Sequence, residues 1–236
     1  MSLSKYSLWE VILASFSGET WAYIAPAILE TLYMTAVSSL VVLVFGFLLG
    51  VLLTALNPEG LLPKTGIYKV LGWVINTLRS LPQVVMIVLL IPVSRLLVGK
   101  SYGTNSCIIA ISACCIPMYA RLVESSLLEI SKGKIEAAKS IGSNSFHIIS
   151  RVVIPETAPS LIRGFTVEII SVLSMTALAG MFGAGGIGDI AVRFGYQRFQ
   201  HEKLFACLYL LIFFVQLLQF LGNVISKHIL KKRGLL

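Results

Sequence analysis

The chain has 236 residues, of which 56% are hydrophobic and 13% are charged, and its mean hydropathy is +0.87. A soluble domain carries about twice that charged fraction, so the composition argues against a soluble enzyme and indicates an integral membrane protein. The net charge of +8 does not indicate a nucleic-acid partner, because the basic residues lie in loops between apolar runs, where anionic lipid headgroups are the expected partner.

The N-terminal segment, residues 1–30, combines aromatic side chains such as Trp9 and Trp21 with charged ones such as Glu10 and Glu19. This mixture is typical of the membrane interface, and we expect an interfacial helix over residues 6–24. The first membrane span follows over residues 32–56, which contain no charged residue. That run is too long, and too weakly basic in front, for a signal peptide.

Four further apolar runs predict membrane spans, and prolines interrupt or follow several of them. A proline inside a helix removes a backbone hydrogen bond and bends the helix. The fold class is therefore an all-α integral membrane protein with about five transmembrane helices in a single domain, residues 1–236, ending in a basic tail, residues 226–236. The predicted spans after the first are residues 70–97, 106–119, 161–181 and 204–225.

An odd number of spans places the two termini on opposite sides of the membrane. If the C-terminus is inside, thirteen Lys and Arg residues lie on the inner side and six on the outer side. Cytoplasmic loops carry the excess of basic residues, so we expect the N-terminus outside and the C-terminus in the cytoplasm.

The longest polar stretch, residues 121–160, falls between the third and fourth predicted spans and so faces the cytoplasm. Residues 134–140 favour a helix, and Gly142 follows where a left-handed residue would end it. Ser143 or Asn144 could cap a second helix over residues 145–153, which Pro155 would end. The pattern predicts two short helices at a sharp angle, forming a docking element; an amphipathic connector on the membrane is the alternative.

The spacing within this stretch resembles the EAA signature of the membrane subunits of ABC importers. Glu-Ala-Ala is followed by three residues and a glycine, then by nine residues and an aliphatic-x-aliphatic-Pro group. By this resemblance the chain has a type I importer fold, and residues 121–160 form a loop of coupling helices that contacts a cytoplasmic ATPase. The positions that match are Glu136, Ala137, Ala138, Gly142, Val152, Ile154 and Pro155.

Three other segments, residues 79–82, 123–130 and 183–188, are similar to the methionine (D-methionine) importer permeases. The resemblance implies a multi-pass subunit of the bacterial cytoplasmic membrane, pairing with a second copy of itself, with ABC ATPase subunits and with an extracytoplasmic substrate-binding protein. ATP and magnesium would bind to the ATPase; we expect no cofactor, metal or catalytic residue in this chain. The sequence departs from the subgroup at residues 173–178 and at Glu168, so another amino acid or an osmolyte remains an alternative substrate.

The fourth predicted span carries the candidate translocation-path residues. Glu168 lies about 10 Å into this span, where a charge is costly. It could meet a substrate ammonium; alternatively it pairs with Arg163 or Arg79, or it is protonated. The hydroxyls of this span could equally bond their own backbone. The candidate path residues are Glu168, Ser171, Ser174, Met175 and Thr176.

The glycines after this span spell G-x-G-x-x-G, a pattern found in nicotinamide-binding enzymes. A span of about 20 residues precedes it instead of a short strand, so a membrane-bound nicotinamide enzyme is the weaker interpretation. An ion-coupled carrier is a third possibility, but paired carboxylates are absent from the spans. We interpret the glycines as a tight turn at the outer mouth, made by Gly183, Gly185, Gly186 and Gly188; a simple flexible loop is the alternative.

Overall fold

The computed structural model describes residues 8–232, and all regular secondary structure in that range is helical. The predicted all-α membrane fold is confirmed. Two π-helical segments of five and six residues, Ile149–Val153 and Ala191–Tyr196, are inserted among the α-helices. The α-helices are α1 (Leu8–Ala14), α2 (Gly18–Leu56), α3 (Thr65–Ser80), α4 (Gln83–Val98), α5 (Thr104–Leu128), α6 (Lys132–Ser140), α7 (Ser145–Ile148), α8 (Ile154–Gly180), α9 (Gly186–Ile190) and α10 (His201–Lys232).

The N-terminal region differs from the predicted helix over residues 6–24. Helix α1 ends at Ala14, and the Ser17 hydroxyl oxygen accepts a hydrogen bond from the Thr20 amide at the start of the next helix. Helix α2 then runs for 39 residues, about 58 Å at 1.5 Å per residue, so the first span and the segment before it form one helix. Residues 1–7 of the predicted interfacial segment lie outside the described residues.

Four helices in residues 8–232 are long and apolar enough to cross a membrane, and a fifth span is obtained if α3 and α4 count as one broken span. The chain bends by 107° between α3 and α4. Leu81 at this break is extended, with φ −76° and ψ 137°, as expected for a residue that precedes a proline. The predicted kink at Pro82 is thus a complete break, whereas Pro92 lies within α4.

The central polar stretch is shorter than the predicted residues 121–160. Helix α5 continues through Pro117 to Leu128, and the helix that contains α8 begins at Ser145. Only residues 129–153, which we call the EAA segment, separate α5 from α8. The basic tail likewise begins within α10, and its residues 233–236 lie outside the described part of the chain.

The described chain divides into two compact units. Within residues 8–232, one comprises residues 8–40, 82–114 and 169–218, and the other comprises residues 41–81, 115–168 and 219–232. The first has a core where α2, α9 and α10 meet, formed by Ile24, Ala27, Ile187, Ile190, Ala206, Cys207 and Leu210.

In the second unit, Gly46 and Gly50 of α2 form a G-x-x-x-G pair against α5. A Cβ on Gly50 would lie 2.6 Å from the Ala120 carbonyl oxygen, so only glycine permits this close helix contact. Leu53, Ile75 and Ala120 form the apolar core beside it. This unit also contains the EAA segment.

Candidate functional site: the EAA segment and the glycine turn

The first helix of the EAA segment, α6, ends in a Schellman motif. Gly142 has φ +79°, as the sequence predicts. The Gly142 amide donates to the Lys139 carbonyl at 2.9 Å, and the Ser143 amide donates to the Ala138 carbonyl at 3.2 Å. These two bonds satisfy the last carbonyls of α6 and turn the chain sharply at Gly142.

The second helix begins at Ser145, as predicted, and Asn144 caps it. The Asn144 side-chain oxygen accepts from the His147 amide at 2.8 Å. The turn between the two short helices therefore follows from local residue types alone: a left-handed glycine ends one helix and an Asx cap starts the next.

The predicted end of this helix at Pro155 is wrong. The helix continues from Ser145 to Gly180 as one 36-residue element, with a π-helical turn over Ile149–Val153. The amide of Ile154, the residue before Pro155, donates to the Ile149 carbonyl five residues back. A widened turn accommodates the proline ring without ending the helix, so Pro155 lies inside the first turn of α8 and does not turn the chain.

The two faces of α6 differ in burial. Ala138 is buried and Ile135 is half-buried against the chain's own unit, while Glu136 and Ala137 are exposed. Of the other signature positions, Gly142 is exposed, and Val152, Ile154 and Pro155 are half-buried. Helical periodicity accounts for this division, because residues three apart lie on the same side of a helix.

Two large apolar side chains beside the bend are absent from the residues predicted from the sequence. Ile141 is 81% exposed and Phe146 is 80% exposed. They lie on either side of Gly142, one residue before it and four residues after it, among exposed polar residues, and we call the pair the apolar tip. Exposed large apolar residues indicate an interaction surface. The sequence alone could have shown this signal, because both residues lie in a polar stretch.

Ion pairs and one hydrogen bond tie the EAA segment to the rest of its unit. Lys132 of α6 pairs with Glu59 at 2.6 Å, and Lys134 pairs with Glu156 in the first turn of α8. The Ser145 hydroxyl donates to the Leu61 carbonyl. Hydrogen bonding to Lys132, with the attraction of its charge, lowers the pKa of the Glu59 carboxyl from its ordinary value of 4.5.

A buried polar network joins α3 to the end of α5 in the same unit. Glu124 is 4% exposed and accepts hydrogen bonds from Tyr68 at 2.9 Å and from Arg121 at 2.6 Å. Arg121 also donates to the Gly72 carbonyl at 3.1 Å. Since each charged group has several partners, this network fixes the end of α5 next to the EAA segment.

The candidate path residues do not share one surface of α8. Glu168 is 1% exposed and Met175 is fully buried, whereas Ser174 is exposed. The Ser174 hydroxyl donates to the Ile170 carbonyl, and the Thr176 hydroxyl donates to the Leu173 carbonyl. These two hydroxyls therefore bond their own helix, as the alternative interpretation holds. Ser171 is half-buried, so its exposure is intermediate between that of the buried residues and that of Ser174.

Glu168 forms no ion pair with Arg163 or Arg79, both of which are exposed within the described chain. The Cys115 thiol is its hydrogen-bonding neighbour. Oε1 of Glu168 has no hydrogen-bond partner among residues 8–232. The alternative in which Glu168 pairs with Arg163 or Arg79 is wrong, because Glu168 is buried whereas both arginines are exposed.

The second glycine-rich element is the glycine turn, residues 181–190. Gly183, Gly185 and Gly186 have φ between +78° and +79° and form a tight turn, as predicted. Gly188, predicted to belong to the same turn, instead lies inside helix α9 and has no positive φ. Oε2 of Glu30 accepts from the Gly186 amide at 2.6 Å, and Oγ1 of Thr31 accepts from the Ile187 amide at 2.8 Å. Two residues of α2 thus cap the start of α9.

Aromatic and basic side chains surround the segment between α9 and α10. Lys203 lies 3.9 Å from the ring centroid of Tyr23, and Arg193 and Arg198 lie 4.9 and 4.7 Å from that of Phe194. Arg193 also pairs with Asp189. Cation–π contacts of this kind hold the basic groups close to aromatic faces at this edge of the first unit.

A family model for binding-protein-dependent transport system inner membrane components matches residues 46–234. The chain is 38% identical over 200 residues to a probable D-methionine transport system permease protein of Vibrio cholerae, covering 85% of this chain and 89% of that protein. It is 40% identical over 165 residues to the methionine import system permease protein of Bacillus subtilis, covering 70% and 74%.

Among solved structures, a chain of the MetNI methionine ABC transporter in an inward-facing conformation superimposes with a TM-score of 0.88 at 33% identity, covering 91% of this chain and 99% of that one. A chain of an amino acid ABC transporter solved with histidines gives a TM-score of 0.71 at 15% identity. At this identity the similarity shows a shared fold only.

Proposed function

The chain belongs to the family of binding-protein-dependent transport system inner membrane components, and we propose that it is the permease subunit of an ATP-driven importer of methionine. Relatives that cover most of the chain carry methionine transport in their names, which supports the choice of substrate. A different amino acid or an osmolyte is the second candidate, because Glu168 and residues 173–178 depart from the subgroup's pattern in the helix proposed to line the path.

The geometry of the EAA segment is the observation that carries this proposal. Its bend presents Glu136, Ala137, Ile141 and Phe146 outward. Ala138 and Ile135 pack against the unit on the other face of α6, and Lys132 and Lys134 form ion pairs with Glu59 and Glu156. We propose that this outward face seats on a cytoplasmic ATPase, which binds ATP and magnesium. An apolar tip near the Glu136 carboxylate is suited to insert into a cleft of the ATPase. The opposite face of α6, which packs against the unit, would transmit movement of the ATPase to the membrane helices.

Two copies of the chain are proposed to enclose the path, because about five spans scarcely surround a solute. The N-terminus then lies outside and the C-terminus in the cytoplasm, with the glycine turn near the outer mouth where a substrate-binding protein docks. Closure of the two ATPases would draw the EAA segments together and open the path outward, and hydrolysis would reverse this change.

The test is ATP-dependent uptake of labelled methionine by proteoliposomes that contain the complex, supplied with its substrate-binding protein. We expect uptake with the unmodified chain, and ATP hydrolysis without uptake for Gly142→Pro, because proline cannot adopt φ +79° and loses the amide that donates to Lys139. Glu136→Lys should also reduce uptake relative to ATP hydrolysis.

Unaltered uptake in both variants would contradict the role of the EAA segment. Uptake of a different solute in place of methionine, with both variants still uncoupled, would leave that role intact and replace only the substrate.

A further inference from the structure

A cavity of about 390 Å³ lies between α6 and the ends of α2 and α5, entirely within the second compact unit. Cavities of about 300–1,000 Å³ are the usual size of ligand sites. The interior is formed mainly by aliphatic side chains from four separate segments. These include Val51, Ala55, Leu127, Ile135, Ile149 and Val153.

Two lysines of α6 line the same cavity. Lys132 and Lys139 are seven residues apart, about two helical turns, and therefore lie on one side of the helix. Lys139 has no ion-pair partner among residues 8–232. Lys132 pairs with Glu59, but the two side chains are 79% and 72% exposed, so this pair is weak and open to exchange.

The position of the cavity restricts its ligand. The apolar run of α2 ends at Leu56, and that of α5 ends before Arg121, about two turns short of Leu127 and Leu128. Because the last turns of both helices line the cavity, the proposed orientation places it at the level of the cytoplasmic lipid headgroups. An apolar interior does not retain water, and a basic rim at this depth attracts the phosphates of anionic lipids.

We propose that this cavity binds an anionic phospholipid, with one acyl chain between Val51, Leu127 and Val153 and the phosphate between Lys132 and Lys139. A phosphate at Lys132 competes with the Glu59 carboxylate for the same ammonium. A bound phosphate would therefore free the Glu59 carboxylate from Lys132, while Lys134 would keep its pair with Glu156.

The experiment uses the chain purified with its copurifying subunits and placed in nanodiscs of phosphatidylcholine. A phosphatidylglycerol probe with a photoreactive acyl chain is added at trace level, and labelled peptides are identified by mass spectrometry. We expect label in the peptides that contain Val51–Ala55 or Leu127–Ile130, and we expect excess unlabelled phosphatidylglycerol to remove it.

Lysine variants test the headgroup contact. Lys132→Gln and Lys139→Gln should each reduce labelling by roughly five-fold, the loss expected for one basic residue near a membrane surface. Lys134→Gln is the matched control, because Lys134 lies on the same helix, pairs with Glu156 and does not line the cavity. Equal labelling of all three variants would overturn the proposal.

Tryptophan variants test the acyl chain independently of α6. Val51→Trp fills the cavity and should abolish labelling, whereas Leu52→Trp, whose exposed side chain does not line the cavity, should leave it unchanged. The proposal would be overturned if Val51→Trp were labelled as strongly as Leu52→Trp. It would also be overturned if a phosphatidylcholine probe labelled the unmodified chain as strongly as the phosphatidylglycerol probe, because the lipid contact would then be nonspecific. Because labelling requires no transport, the result is readable even if methionine is not the substrate.

Discussion

Two turns of this protein depend on left-handed glycines, yet they differ in what surrounds them. At Gly142, the bend of the EAA segment, an added Cβ would meet no atom within 4 Å. At Gly185 and Gly186 of the glycine turn, an added Cβ would lie 2.5 Å from Glu30 and 2.6 Å from Thr31. The first turn is free to contact a partner, while the second is enclosed by its own chain and belongs to the packing of the unit.

Gly188→Ala should have the largest effect. A Cβ there would clash with the Ala177 carbonyl oxygen, which is backbone and cannot rotate away. We expect a loss of about 3 kcal/mol in the free energy of unfolding, measured by thermal denaturation of the purified protein. Gly66→Ala is the control, because a Cβ at Gly66 meets nothing within 4 Å. If both variants melt alike, the glycine turn is not enclosed as described.

Thr31→Val tests the cap of the glycine turn. The Ile187 amide is buried and would lose its acceptor while the side-chain volume stays the same, which costs about 1–3 kcal/mol of stability. Thr31→Ser keeps the hydroxyl and should restore most of the loss in thermal denaturation. A serine variant as unstable as the valine variant would assign the effect to packing of the methyl group instead.

Gly142→Ala should have a smaller and local effect, because the only cost is the left-handed backbone, about 1–2 kcal/mol. We expect normal expression and a smaller loss of thermal stability than for Gly188→Ala, with fewer methionine molecules transported per ATP hydrolysed. Gly142→Asn should recover part of the coupling, since asparagine tolerates this conformation. A loss of thermal stability by Gly142→Ala as large as that of Gly188→Ala would contradict the difference between the two turns.

The Glu59–Lys132 pair gives the smallest effect, a pH dependence of how firmly α6 is held. The lowered pKa of Glu59 means that its contribution is complete above pH 4.5 and is lost as the pH falls through the lowered value. The pair also raises the pKa of Lys132, so its contribution is complete below pH 10.5 and is lost as the pH rises through the raised value.

A nitroxide at Gly133→Cys should thus show constant mobility from neutral to mildly alkaline pH and greater mobility in strong acid. Glu59→Gln should be more mobile than the unmodified chain at neutral pH and should change less in acid, because Lys134 still pairs with Glu156. A spectrum that changes with pH to the same extent in Glu59→Gln would assign the change to another group.

The spans and the bend were accessible from the sequence, since each depends on neighbouring residues. A long uncharged run predicts a span because hydrocarbon cannot solvate charge, and the prediction holds for α2. Gly142 and Asn144 specify the turn through their own backbone preferences. Ile141 and Phe146 were equally visible in the sequence, as large apolar residues in a polar stretch.

The remaining features were decided by tertiary structure. Whether Pro155 ends a helix depends on the π turn that precedes it, and the burial of Glu168 depends on the helix that packs against it. Glu30 and Thr31 cap amides 156 residues away, and the cavity beneath α6 is formed by four segments. Local sequence encodes helix propensity and the cost of burying charge; it does not encode which distant groups meet, because that depends on how the helices pack.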